Sequence, residues 1–271
     1  MSATPELGVG ASALFAAFRR RPTSTRARPV RGERKTIHLV RHGRTEMNDY
    51  LRTHHWADPE FVDPMMIDTK LTEVGESQAR ALAETVARLE PRPELIVASP
   101  LRRALRTAEL AFGEGGDGEL GDVPRVVCAL ARERVFHGSD IGRVGRELRE
   151  DHPGWDLSDV GDDAPWWYTP EGRDPFTTAE LEPLDVFERR MEEFRRWLDA
   201  RPERSIAVVS HWGVCYSLTG EEFQNCELRS LDFHEDLVVG NGDFQRFDVF
   251  LQDNLLGKIG RALVRIRSKL F

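Results

Sequence analysis

Apolar residues along the chain fall into two kinds of pattern that take turns. Thr36 to Val40, Glu94 to Ala98, Arg125 to Cys128 and Ser205 to Val209 are short β-branched or apolar runs ending at polar or turn residues, as buried strands do. Leu71 to Leu89 instead spaces Val74, Leu82, Val86 and Leu89 at helical intervals, and Val186, Phe187, Met191, Phe194, Trp197 and Leu198 mark a second amphipathic helix. The alternating order predicts an α/β fold: a single three-layer domain with a mostly parallel sheet and helices on both faces. This domain is expected over residues 36–250. Gly113 to Gly121 is a glycine- and acid-rich surface loop, and HPGWDLSDVGDDAPWWYTPEGRDP is too long and irregular for a simple connection. The aromatics of that stretch, Trp155, Trp166, Trp167 and Tyr168, either cover a pocket mouth or pack over the sheet.

Both ends break the pattern. Residues 1–35 gather Arg19, Arg20, Arg21, Arg26, Arg28, Arg31, Arg34 and Lys35 among Ala, Ser, Thr and Pro, with Glu6 and Glu33 as acids. Such a basic segment is expected to be a disordered tail, with an organelle transit segment as the alternative. Residues 251–271 end in LLGKIGRALVRIRSKLF, an amphipathic basic helix whose apolar stripe suits packing on the domain better than contact with a membrane surface.

Composition narrows the function. A chain of 271 residues with 40% hydrophobic content can bury a sizeable core. Its net charge of −8 excludes a general nucleic-acid binder, which needs a broad basic face. Cys128, Cys215 and Cys226 are odd in number and lack metal-ligand spacing, so they are expected as reduced thiols of a cytoplasmic protein. No secretory signal or membrane span is expected, since the apolar runs are too short. The pattern bears no sign of an oligomeric state.

Three of the strand candidates run into reactive or cationic residues. The first meets Arg41 and His42, the second Ser99, Pro100, Arg102 and Arg103, and the fourth Ser210 and His211. Ligands of open α/β sheets bind outside the carboxyl ends of the strands. If the strands are parallel, both histidines and at least one arginine therefore converge. Forked guanidiniums can grip phosphoryl oxygens while a neutral imidazole attacks phosphorus. Each residue alone has an ordinary explanation: a satisfied core histidine, a solvated arginine, a helix-capping serine. Their convergence, with Gly43 and Gly213 offered as points of close ligand approach, favours a site.

Those residues also carry a resemblance. LVRHGRTEMN (Leu39 to Asn48) is similar to the signature of the histidine phosphatase superfamily, in its phosphoglycerate mutase-like branch. SPLRRALRTA, LARE and VVSHWGV resemble that family's second-arginine, acid and second-histidine motifs in order and spacing. RERVFHGSDIGR and NCELRS resemble the plant and fungal phosphoglycerate-mutase-like proteins. The resemblance implies a phosphoglycerate mutase-like fold, with Arg41 and Arg103 gripping phosphate and His42 as nucleophile. It further implies His211 as charge stabiliser, Glu133 as acid and then base, and Thr45 and Asn48 as further pocket residues. Arg102 rivals Arg103, which the family spacing prefers because it directly precedes Ala104.

No metal or other cofactor is expected, since no HExxH motif, calcium loop or paired CxxC is present. His54, His55, His137 and His152 form no ligand pattern. LRTHHWADPEFVDPMMID follows Asn48 where glycolytic mutases have a different segment, which favours hydrolysis over mutase chemistry. The expected partner is a small phosphorylated metabolite or a phosphoprotein. Mutase-type phosphotransfer and a catalytically silent interaction module are the alternatives.

Overall fold

The computed structural model describes residues 34–56, 58, 60–113, 120–240 and 244. The basic N-terminal segment up to residue 33, most of the Gly113–Gly121 loop and the C-terminal amphipathic segment lie outside them. Lys35, which the sequence groups with the cationic tail, is buried.

Four strands, β1 (Thr36–Arg41), β2 (Leu95–Ala98), β3 (Arg125–Val127) and β4 (Ser205–Ser210), occupy the predicted runs. A fifth, β5 (Leu228–Asp232), completes the order β3-β2-β4-β1-β5. The first four are mutually parallel, and β5 runs antiparallel beside β1. β5 contains Arg229, Ser230 and Asp232 and only two apolar residues. An edge strand half open to water needs no apolar run, so the pattern that marks buried strands passes over it.

Successive side chains of a strand face opposite ways, which divides the core in two. Val40, Ile96, Ala98, Ala207 and Val209 pack with Leu82 and Val86 of α2 (Glu73–Val86) and with Ala104, Leu105 and Ala108 of α3 (Arg102–Phe112). Ile37, Leu39, Leu95, Val97, Ile206 and Val208 pack on the other face. Their partners are Phe187, Met191, Phe194 and Leu198 of α5 (Leu184–Ala200) and Val214 and Leu218 of α6 (Trp212–Thr219). The three layers are those expected. Val74 departs from its expected role: it is 50% exposed, because α2 begins at Glu73 under a Thr72 cap and Val74 lies off the buried stripe of Gly75, Ala79, Leu82 and Val86.

Two polar devices secure the layers. Lys35 Nζ donates to the carbonyls of Leu198, Asp199 and Arg201, satisfying the open C-terminal end of α5. His38, buried within β1, bonds Ser230 Oγ at 2.7 Å and the Pro91 carbonyl at 2.8 Å. The irregular segment that follows α4 (Gly145–Asp151) proves to be packing: Trp155 joins the α2/α3 core, Trp166 lies over Gly142, and Trp167 is buried with Val135 and Ile141. None of these three lines the principal cavity.

Candidate active site

Parallel register brings the site together. Arg41 pairs with Ser210 across β1 and β4, so the residues that follow, His42 and His211, leave the sheet side by side. Their rings lie 5.1 Å apart, centroid to centroid, tilted by 57°. β2 ends one residue before Ser99, and Arg103 stands in the first turn of the helix behind it. β3 ends at Val127, after which a short 3-10 turn, Ala129–Ala131, delivers Glu133. Arg41, His42, Thr45, Asn48, Arg103 and Glu133 all line one cavity of about 800 Å³, whereas His211 is fully buried beside His42 and does not line it.

Hydrogen bonds set the state of each ring. His42 Nδ1 lies 2.7 Å from the Gly43 carbonyl, which accepts only, so Nδ1 carries the proton and Nε2 bears the lone pair. Burial, then the Arg103 and Arg41 charges, hold its pKa well below the ordinary imidazole value. His211 Nδ1 accepts from Arg103 Nε at 3.3 Å while Nε2 lies 2.7 Å from Ser99 Oγ. Burial first and Arg103 second depress its pKa too. Both imidazoles are therefore held neutral.

The two arginines are held differently. Arg41 donates from one terminal nitrogen to the Phe223 carbonyl at 2.6 Å, and its buried Nε has no hydrogen-bond partner among the described residues. Arg103, 3% exposed, donates to the Ser139 carbonyl and to Asp140 as well as to His211. Arg102 faces elsewhere: it pairs with Asp68 at 3.4 Å and lines a smaller pocket with Lys70, Arg106 and Arg143.

Glu133 lines the same cavity at the N-terminus of α6. Its carboxylate accepts from Gly213 N at 3.0 Å and from Arg134 N at 2.9 Å. Burial and the nearby Asp140 charge nevertheless raise its pKa, outweighing those two bonds and Arg103. A Cβ on Gly213 would collide with Glu133 Oε1. What approaches Gly213 is thus the protein's own acid rather than a ligand. The same correction holds for Gly43, where an added Cβ would lie 2.7 Å from the Gly75 carbonyl. Both glycines serve close packing.

Thr45 caps α1 (Glu46–Thr53): its hydroxyl accepts from Asn48 N, and the Asn48 side chain accepts from Thr45 N. Asn225 bridges Asn48 Oδ1 and the His42 carbonyl, tying the cap to the histidine loop. Of the other histidines, His55 and His137 line the outer cavity, His54 stacks on Tyr50, and His152 pairs with Glu109. Among the described residues no group of His, Cys, Asp or Glu is arranged to hold a metal ion, and no helix is long and apolar enough to cross a membrane.

Sequence reasoning passed over Ser99 and Asp140 as site residues. Ser99 was visible at a strand end, but its bond to His211 spans 112 positions. Asp140 accepts from Phe136 N and His137 N as a local cap, but its bond to Arg103 spans 37 positions and leaves no local signature.

The class defined by this geometry is an α/β enzyme of phosphate esters built around paired histidines. Residues 37–236 match the family model of the histidine phosphatase superfamily, branch 1. The chain belongs to that superfamily, and its enzyme class is phosphoric monoester hydrolase. It is similar to a "Phosphoglycerate mutase-like protein" of Arabidopsis thaliana, 29% identical over 84% of this chain and 93% of the relative. It is also similar to a glucosyl-3-phosphoglycerate phosphatase of Mycolicibacterium vanbaalenii, 31% identical over 67% of this chain and 71% of the relative. Among solved structures it resembles a putative alpha-ribazole-5'-P phosphatase of Escherichia coli, with 19% identity, coverage of 77% and 97% of the two chains, and a TM-score of 0.46.

Proposed function

We propose that this protein hydrolyses a phosphomonoester of a small metabolite through a phosphohistidine on His42. The observation that carries the reading is the state of His42: a neutral ring whose Nδ1 is committed to the Gly43 carbonyl, leaving Nε2 with an in-plane lone pair in a cavity that Arg41 and Arg103 also line.

In the first step His42 Nε2 forms a bond to phosphorus as the bond to the leaving oxygen breaks. Arg41, through its unpartnered Nε, and Arg103 hold the phosphoryl oxygens, and that fixed positive charge supplies the stabilisation phosphoryl transfer requires. His211, whose Nδ1 accepts from Arg103 Nε and whose Nε2 is hydrogen-bonded to Ser99, holds that guanidinium beside His42 and so supports the charge that develops on the phosphoryl group. Glu133, whose raised pKa suits a proton donor, gives its proton to the departing alkoxide. The resulting carboxylate then takes a proton from water as that water attacks phosphorus, and the phosphorus–nitrogen bond breaks to release phosphate.

A phosphoryl group occupies only part of a cavity of about 800 Å³. The remainder is lined by Leu51, by the Trp56–Phe136 ring pair and by Trp212 stacked on Tyr216, with Phe244 against both. This wall suits a leaving group with an apolar or stackable face.

Wild-type protein quenched during turnover of a labelled phosphomonoester should carry an acid-labile phosphate on His42. His42→Ala should carry none and lose activity by at least about a thousandfold. Label on His211, or undiminished turnover by His42→Ala, would overturn the reading.

A further inference from the structure

Behind Glu133, on the side away from the cavity, lies a buried cluster that the chemistry above leaves unused. Arg190 of α5, Glu182 just before that helix and Arg132 beside the acid are 6%, 0% and 8% exposed. Burying two guanidiniums and a carboxylate is costly, and apolar residues of similar volume could fill the same space. Their bonds show what the cluster holds.

Arg190 uses both terminal nitrogens and Nε. One terminal nitrogen donates to the carbonyls of Leu130 and Arg132, at 2.9 and 2.7 Å. The other donates to the carbonyl of Glu133 itself and to Glu182 Oε2, and Nε donates to Glu182 Oε1. Ser210 Oγ, at the end of β4, donates to the carbonyl of Ala131. Four successive carbonyls, residues 130 to 133, are thereby tied down by side chains from α5 and β4. Glu182 fixes the fork from behind: its carboxylate also accepts from Arg132 and from Val135 N, and its carbonyl accepts from Arg134 Nε.

We infer that Arg190, oriented by Glu182, is a positioning residue that holds the Glu133 loop at the distance from which the acid reaches the leaving oxygen. The loop has no regular structure between Ala131 and Gly138, where Glu133 sits. A guanidinium suits the task because five N–H donors in a rigid plane meet three carbonyls and one carboxylate together, which the three donors of an ammonium cannot. The inference rests on the reading of Glu133 as general acid.

Arg190→Lys keeps the charge opposite Glu182 and loses the fork, while Glu182→Gln keeps the volume and loosens the fork's orientation. For both, kcat/KM should fall about tenfold or more on an alkyl phosphate such as glycerol 2-phosphate and by less than about threefold on 4-nitrophenyl phosphate, whose phenolate leaves without a proton. In a Glu133→Gln background either substitution should add almost nothing on the alkyl substrate, because the group being positioned is already gone. Equal losses on both substrates, full additivity with Glu133→Gln, or failure of both variants to fold would overturn the inference and leave the cluster a structural role. If Glu133→Gln alone slows both substrates equally, the general-acid reading falls and this inference falls with it; if Glu133→Gln is selective and Arg190→Lys is not, the inference alone falls.

Discussion

The cavity has a floor and a far wall, and they are built by different means. The floor, with Arg41 and His42, His211 buried beneath them and Arg103 in the first turn of α3, stands at the carboxyl ends of parallel strands, where ladder hydrogen bonds set the positions of the strand-end residues. The wall, with Glu133 and Asp140, stands on an irregular segment from Ala129 to Ile141 that contains two single 3-10 turns. Here side chains replace the ladder: Arg190 and Ser210 hold its carbonyls, and Asp140 and Asp63 accept from its amides. Groups that bind and attack phosphorus thus rest on rigid backbone. The group that handles the proton rests on buried polar contacts that a single substitution can loosen.

The contrast predicts that damage to the floor affects every substrate alike, while damage to the wall depends on the leaving group. The largest effect expected among these is from Arg103→Ala, which removes a buried cation beside both histidines and takes from Asp140 its ion-pair partner. Turnover of alkyl and nitrophenyl phosphates should fall together by about 10² to 10³, measured as kcat/KM. A loss confined to one of them would place Arg103 in the wall instead.

Glu133→Gln comes next, with about 10² lost on an alkyl phosphate and less than about tenfold on 4-nitrophenyl phosphate. The acid must be protonated to act, so wild-type kcat/KM on the alkyl substrate should decline as pH rises through the raised pKa of Glu133. That limb should vanish in the variant. Its persistence would assign the titration to another group.

Gly213→Ala tests the fit between floor and wall, because the new methyl displaces the Glu133 carboxylate from the α6 N-terminus. Roughly tenfold loss on alkyl phosphates is expected, with the nitrophenyl substrate nearly unaffected, since α6 tolerates alanine well and the acid alone is moved. The smallest effect belongs to Arg102→Ala. Its side chain pairs with Asp68 outside the cavity, where Arg143 also holds the carboxylate at 3.0 Å, so turnover should stay within about threefold of wild type. A loss matching that of Arg103→Ala would show that the second-arginine motif had been assigned one residue out of place.

The same division separates what could be read in the sequence from what could not. Short apolar runs located β1 to β4, and parallel connection alone sufficed to gather His42, His211 and an arginine at one edge, since every parallel strand ends on the same side. The choice of Arg103 over Arg102 came from motif spacing, and the structure places only Arg103 at the cavity. β5 was missed because a half-exposed edge strand of mixed polarity has no apolar run. Val74 was expected inward and lies outward, since helical periodicity gives a stripe but its edge is set by neighbours.

By itself, then, the sequence determined the layered fold, the strand ends that bear the chemistry and the residue types brought there, because short-range periodicity and chain connection are local properties. Tertiary structure alone decided that Gly213 yields to Glu133 rather than to a ligand, that His211 rests on Ser99 and Arg103, and that Arg190 and Glu182 hold the acid loop. Those relations join residues up to 112 positions apart through side-chain hydrogen bonds in a buried space. Such bonds depend on orientation and burial, and neither exists until the layers have packed.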